Sequence, residues 1–318
     1  MHPKRTSYRK IAIEAGVSYK TLYRVLNKAP NVSASTREKV IRTMKRYGCM
    51  DARLPAGCSI VIYVDENKYM LEHAQSLVRK LQDFPVSVRL FQALKNKTPF
   101  LQMVATASQL VYFEFMPEDL LKKCREENPD LKIICINGYQ GDINIGCDYF
   151  QQGRMAAEYL HRCGVRHLGL FFGKINNSAP YYQGMHDRAM GCFYEWTQKF
   201  GHDEPEKIID IDSYFQTQQT LPDAFLAMNT FLSKNFISKA AEHHLEPPKD
   251  YSIFTFGRPE DFLQLEVPAV DCIYHEIKDM LDVVLTYLFY PNLGNIHSQI
   301  TVNVQSYLQI YGTVKERH

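Results

Sequence analysis

The chain has 318 residues, room for roughly two core-sized domains. With 45% hydrophobic and 23% charged residues it has a globular composition, which excludes a disordered acidic chain and a fibrous repeat. No run approaches the roughly 18 apolar residues of a membrane helix, and the basic start MHPKRTSYRK leads into no apolar stretch, so a cytoplasmic protein without membrane contact is expected.

Eight cysteines at irregular spacing, with no CxxC pair and no histidine cluster of metal-ligand pattern, read as reduced thiols. Neither disulfides nor a metal nor another cofactor is expected. The net charge of +2 hides an asymmetry. Residues 1–55 hold 13 Lys and Arg against three acids, a formal +10, while the remainder carries −8. A small basic module is joined to a mildly acidic body, and such a module is the electrostatic footprint of a nucleic-acid or anionic-surface binder.

The module also has helical periodicity. Tyr8, Ile11, Ala12 and Ala15 share one face of a first helix that Gly16 ends. Ser18 is placed to cap a second helix with Leu22, Val25 and Leu26 inward. Ser35-Thr36-Arg37-Glu38 reads as a capping box for a third, with Val40, Ile41, Met44 and Tyr47 on its apolar face and Gly48 at its end. Helix, Ala-Gly-Val-Ser turn and helix make a helix-turn-helix, whose second helix enters the major groove.

Ala12, Ala15-Gly16-Val17-Ser18, Thr21, Arg24-Val25-Leu26-Asn27, Val32-Ser33 and Thr36-Arg37 together resemble the headpiece of the lactose-repressor (LacI-type) family. The resemblance implies that Tyr19, Lys20 and Arg24 read bases and that Ser18, Thr21 and Asn27 lie near phosphate. The chemistry suits those roles, because Lys and Arg donate to guanine edges, Tyr packs on a thymine methyl, and hydroxyls and amides hold the backbone. Two positions depart from the family: Lys10 replaces a common Asp, and Tyr23 replaces a Ser within the recognition helix. The family's linker helix is abbreviated to GCMDARLP, residues 48–55, where Leu54 is either a minor-groove wedge or part of a plain connector.

From Ser59 onward, SIVIYVD, SVRLFQ, QLVYFEF, KIICIN, HLGLFFG, KIIDID, AFLAM, SIFTFG and AVDCIY read as strands. Segments such as EDLLKKCREEN and QGRMAAEYLHRCG, with helical spacing, lie between them. This is the βαβ pattern of parallel sheets covered on both faces, and about nine strands suit two lobes with a ligand cleft at the strands' carboxyl ends. The expected fold is an all-α helix-turn-helix headpiece joined to an α/β, two-lobed, periplasmic-binding-protein-like domain with parallel sheets. The expected boundaries are residues 1–48 for the headpiece, 49–58 for a shortened hinge and 59–318 for an effector-binding and dimerisation domain.

The family resemblance extends over this body and implies that Asp148, Arg188 and Asn229 line the effector cleft. From the residues alone, Asp148 is equally a helix cap, and the alternative for Arg188 is a surface ion-pair partner. Gly257-Arg258 replaces the family's Asp-Asp pair, and Tyr311 stands where an Arg is common. Arg258 beside Arg188 and Lys174 would make the cleft cationic and favour an anionic sugar derivative, unless Arg258 pairs with Glu260 or Asp261. Tyr69, Phe115 and Tyr139 follow strands and either stack on a sugar ring or serve as packing.

No GxSxG, HExxH, GxGxxG or phosphate-loop motif occurs, and Asp210 with Asp212 on a strand, or His243-His244 closing a helix, reads as structural, so no enzyme is expected. The expected protein is a homodimeric transcriptional regulator, a repressor on the family pattern, that binds a pseudo-palindromic duplex operator and responds to a small molecule, a sugar or sugar derivative. The alternative is an α/β ligand-binding or metabolic protein whose basic module binds nucleic acid without sequence preference.

Overall fold

The computed structural model describes residues 8–26, 32–46, 58–65, 68–82, 84, 86–92, 96–173, 182–217, 220–264, 268–289 and 299–317. Two compact units emerge: Met1–Ile145 with Met280–Val302, and Gly146–Asp279 with Asn303–His318. The chain therefore passes from one unit to the other three times.

The first unit opens with α1 (Tyr8–Glu14), α2 (Tyr19–Leu26) and α3 (Ala34–Arg46). Ile11, Ala12 and Ala15, then Leu22 and Val25, then Val40 and Met44 form one small buried cluster, which is why three helices this short hold together. Gly16 makes the turn in the left-handed region (φ +64°), a conformation that costs other residues about 1 kcal/mol. Two expectations need correction. The cap of α3 is Ser33, whose Oγ accepts from the Thr36 N–H at 3.2 Å; Ser35 is already helical. Ile41 turns outward and is 39% exposed, one position off the buried Val40–Met44 line. Tyr47 and Gly48 lie outside the described residues.

Next come β1 (Ser59–Val64), α4 (Lys68–Leu81), β2 (Ser87–Gln92), α5 (Thr98–Val104), β3 (Gln109–Phe113), α6 (Glu118–Glu127), β4 (Lys132–Ile136) and β5 (Ile143–Cys147). The second unit carries α7 (Tyr149–Arg162), β6 (Leu168–Phe171), α8 (Tyr182–Phe193), β7 (Glu206–Ile208), α9 (Ile211–Thr217), β8 (Ala224–Ala227), α10 (Thr230–Glu242), β9 (Ser252–Phe256), α11 (Pro259–Gln264) and β10 (Asp271–His275). The helix α12 (Ile277–Leu288), then β11 (Ile300–Val304) and β12 (Ser306–Gln309), carry the chain through its last two passages.

The sheets run β11-β5-β4-β3-β1-β2 and β12-β10-β9-β8-β6-β7. The ladder β2-β1-β3-β4-β5 is parallel, as is β7-β6-β8-β9-β10, while β12 is antiparallel to β10. Each sheet starts near its middle, lays its second strand on one side and the rest on the other. Each therefore has a switch point, between β1 and β3 or between β6 and β8, where neighbouring connections leave in opposite directions and open a crevice at the carboxyl ends. The wholly buried runs QLVYF (β3), AFLA (β8) and SIFTF (β9) are central, whereas the edge strand SVRLFQ (β2) is partly exposed throughout.

The strand expected at KIIDID is shorter than its sequence suggests. β7 stops at Ile208, and Asp210 and Asp212 sit at the start of α9, where Asp210 Oδ1 accepts from the Asp212 N–H at 3.2 Å and Asp212 pairs with Lys239 at 3.1 Å. Asp followed by an apolar residue is as good a helix start as a strand end, and here the start prevails.

Two polar arrangements fasten the second unit. Asp271 on β10 is fully buried, and its carboxylate accepts from the N–H groups of Tyr311, Gly312, Thr313 and Val314 (2.6–3.2 Å) and from the Tyr159 hydroxyl at 2.9 Å. Beyond α8, a π-helical segment, Tyr194–Lys199, leads to His202, whose Nε2 lies 2.8 Å from His161 Nδ1 on α7. Phe200 stacks on His161 at 3.9 Å, and Trp196 lies 4.4 Å from His202.

Burial, Arg166 and Lys199 hold His161 below the usual histidine range. Burial, His161 and Arg166 do the same for His202, against the opposing charge of Asp203. The folded pair is thus neutral where unfolded histidines, titrating near about 6.5, take up protons. Stability should fall as pH drops below that value, by at most about 1.4 kcal/mol per pH unit for each extra proton taken up on unfolding. Urea midpoints between pH 7.5 and 5 check this; His202→Gln should flatten the acid limb, and an equally steep limb in that variant would show that other groups carry it.

Candidate functional sites

The second helix of the headpiece is pinned at its start. Ser18 Oγ accepts from the Thr21 N–H at 3.0 Å and lies 2.8 Å from Thr21 Oγ1. One of these two hydroxyls donates to the other, which leaves one hydroxyl proton at the helix N-terminus beside N–H groups that favour an anion. Leu22 and Val25 face the core, while Lys20 and Arg24, one helical turn apart, are exposed. Tyr19 is half-buried, with its ring edge-on to Phe84 at 6.1 Å, and Phe84 in turn stacks on Phe289 at 4.4 Å. Tyr23 lies on α2, and Asn27 and Leu54 lie outside the described residues.

At the switch point of the second sheet, Arg188 on α8 is held from four directions. Its Nε donates to Gln152 Oε1 at 2.9 Å and its Nη1 to the Met228 carbonyl at 3.2 Å. Its guanidinium lies over the rings of Tyr149 and Phe256, 4.8 Å from each centroid. No carboxylate forms an ion pair with it among the described residues, so the surface ion-pair reading of Arg188 does not hold. Nη2 and one Nη1 hydrogen remain to donate, on a planar cation whose orientation is already fixed.

Asn229, just beyond β8, caps α10 by accepting from the Leu232 N–H at 2.8 Å, and its Nδ2 faces the Met185 sulfur at 3.7 Å. Asp148 caps α7, accepting from the Gln151 N–H at 2.8 Å, and is exposed. Arg258 brings its own counter-ion: Nη2 lies 2.9 Å from Asp261 Oδ1, and its N–H donates to Oδ2 at 2.8 Å. The expectation that Arg258 adds uncompensated positive charge is thereby corrected, since an acid three residues on in the first turn of α11 neutralises it. Lys174 lies outside the described residues.

At the carboxyl edge of the first sheet, Phe115 is half-buried two residues past β3. Tyr139 is 48% exposed, with its carbonyl accepting from Gln299 Nε2 at 2.7 Å. Tyr69 is the second residue of α4, beyond β1. Glu114 and Asn137, immediately after β3 and β4, both adopt left-handed backbone (φ 59° and 60°), a strained choice that clusters at functional edges.

Sequence reasoning missed Gln152, Tyr149, Phe256 and Ser306. Tyr149 and Phe256 adjoin positions already singled out, but a buried glutamine on a helix face has no sequence signature. Among the described residues no group of three or more His, Cys, Asp or Glu could hold a metal ion, and no helix is long and apolar enough to cross a membrane.

Residues 9–48 match the family model for bacterial regulatory proteins of the lacI family. The stretch that carries the helix-turn-helix thus bears the lacI-family signature. Over 267 residues it is 22% identical to the HTH-type transcriptional repressor PurR of Haemophilus influenzae (strain PittEE), covering 77% of this chain and 79% of that one. The lac repressor bound to ONPG in the repressed state superposes with a TM-score of 0.64 at 18% identity, over 98% of this chain and all of that one. The regulator CelR in complex with cellobiose superposes at 0.60 and 16% identity, over 97% and 100%. The fold, a helix-turn-helix headpiece and two parallel α/β sheets, is thus shared with these structures along nearly the whole chain.

Proposed function

We propose that this lacI-family chain is a cytoplasmic transcriptional repressor that binds a pseudo-palindromic duplex operator as a homodimer and changes its operator affinity when a small molecule binds. The observation that carries the reading is the exposed Lys20–Arg24 face on a capped second helix whose opposite face is spent on the headpiece core. On this reading Lys20, Arg24, Tyr19 and Tyr23 reach base edges, and Ser18, Thr21 and Asn27 hold phosphate. Leu54 is the candidate for a minor-groove wedge, the alternative being a plain connector. Reading DNA requires Tyr19 to leave Phe84, a modest cost of about 0.5–1.5 kcal/mol for one aromatic pair.

Selection of bound sequences from random duplexes at near-physiological salt tests the proposal, because low salt inflates non-specific binding. A palindromic winner with fixed half-site spacing is expected. On that site Lys20→Ala or Arg24→Ala should each cost about 1–3 kcal/mol and relax base choice at one position per half-site. Failure of folded protein to enrich any sequence, with or without metabolite pools, would favour a module that binds nucleic acid without sequence preference.

Arg188 and Asn229, with Asp148 at the start of α7 and Arg258 just before α11, form the effector-reading edge of the second sheet; Tyr69, Phe115 and Tyr139 form that of the first. A fixed guanidinium with no carboxylate partner among the described residues suits a sugar acid or sugar phosphate, which it can grip with two parallel hydrogen bonds. Calorimetric titration should find such an anion bound by the wild type and lost in Arg188→Met. Tight binding of neutral sugars with no anion bound would overturn the anionic assignment. The effector need shift operator affinity by only about 1–3 kcal/mol to act as a switch.

A further inference from the structure

Gln152 is completely buried, and both ends of its amide are used. Oε1 accepts from Arg188 Nε, and Nε2 donates to Ser306 Oγ, each at 2.9 Å. The orientation has one solution, since turning the amide over would set its NH2 against the guanidinium N–H. The two neighbours of Arg188 along this path belong to distinct stretches of chain. Gln152 lies on α7, six residues past Gly146, where the chain first enters the second unit; Ser306 opens β12, three residues past Asn303, where it enters for the last time.

We propose that Gln152 and Ser306 are positioning residues that couple the Arg188 guanidinium to the two entry segments of the second unit, so that a ligand drawing on Arg188 loads those segments. The proposal rests on the reading of Arg188 as the effector-binding group and adds the route by which its occupancy is felt. A buried amide is costly unless both ends are satisfied, so any displacement of Arg188 is passed on to Ser306 rather than absorbed. The passages between units are where a change in one can be transmitted to the other. By reciprocity, a perturbation at Ser306 must alter Arg188.

Phenylglyoxal labelling of Arg188 in the full-length protein, quantified by peptide mass spectrometry, tests the coupling without any ligand. Ser306→Ala, which removes no atom touching Arg188, should raise the labelling rate about three- to tenfold, the effect of one lost hydrogen bond in a charged network. Gln152→Met should raise it at least as much, and the double variant should match Gln152→Met alone. Ser306→Thr, which keeps the hydroxyl, should restore the wild-type rate and carries the test if Gln152→Met fails to fold. In the other direction, Arg188→Met should speed amide hydrogen exchange over residues 303–309. A wild-type rate in Ser306→Ala, or additive effects in the double variant, would overturn the coupling. A negative anion titration with normal coupling would instead sink the effector reading and leave the coupling standing.

Discussion

Replacing Asp271 by alanine is expected to destabilise the second unit by about 3–5 kcal/mol, the range for removing one partner from a buried charged arrangement. Five donors lose their acceptor at once: four consecutive backbone N–H groups, from Tyr311 to Val314, and the Tyr159 hydroxyl. Water cannot replace the carboxylate cheaply, because Asp271 is 0% exposed and the small cavity left by the side chain is walled by β-sheet. The loss should be local at first, since these bonds fasten the segment after β12. Asp271→Asn keeps one carbonyl oxygen for the three N–H groups on Oδ1 but sets an NH2 against the Val314 N–H, so its cost should be intermediate. Urea unfolding with hydrogen exchange over residues 311–317 checks both points. A cost for Asp271→Ala below about 1 kcal/mol, in the range of a single ordinary hydrogen bond, would show that the segment is held by other contacts.

That arrangement also marks where sequence reading stops. The strand AVDCIY is legible from its apolar run, and the acid within it is visible, yet nothing local says that its partners lie some forty residues on. The same limit applies around Arg188. Its guanidinium is anchored by a glutamine 36 residues earlier and a carbonyl 40 residues later, contacts that exist only once α7, α8 and β8 are assembled. The headpiece was legible almost whole because its core is local: Ile11, Leu22, Val25 and Val40 lie within thirty residues, and the glycine and the serine caps sit where backbone geometry demands them. Even there, the choice between Ser33 and Ser35 as cap depended on which serine's backbone leaves the helix, and both sequences are acceptable caps.

In the sheets, central strands announced themselves as unbroken apolar runs. β11 and β12 did not, because TVNVQSYLQ alternates polar and apolar residues over two edge strands and reads equally well as exposed loop. β5 was missed because INIGC is short and carries Asn144, whose side chain is satisfied by the backbone of Gly141. Edge strands and buried polar groups are specified by what they pair with, and pairing is a property of the folded chain.

Gly153→Ala should damage the proposed effector-reading edge of the second sheet. A methyl built there would lie 1.9 Å from the Arg188 carbonyl oxygen and 2.7 Å from the Cys192 nitrogen, and Gly191 would meet the Phe150 carbonyl equally closely. The two helices α7 and α8 thus touch backbone to backbone, with a glycine contributed from each side. Alanine gains about 1 kcal/mol of helix propensity over glycine, but forcing apart two packed backbones costs up to about 3 kcal/mol, since neither wall is a side chain that can swing away. The net expectation is a loss of about 2 kcal/mol in urea unfolding. More telling is the displacement, because relieving a 1.9 Å contact must move α8 by more than about 1 Å, enough to stretch the 2.9 Å bond from Arg188 to Gln152 beyond hydrogen-bonding range. On the proposed reading, the variant should therefore lose its response to an anionic effector while Lys20 and Arg24, in the other unit, still recognise the selected operator. Operator titrations with and without effector separate the two effects. An unchanged ligand response in a folded Gly153→Ala protein would show that the site tolerates helix displacement and that the Met228 carbonyl and the two aromatic rings hold Arg188 without Gln152.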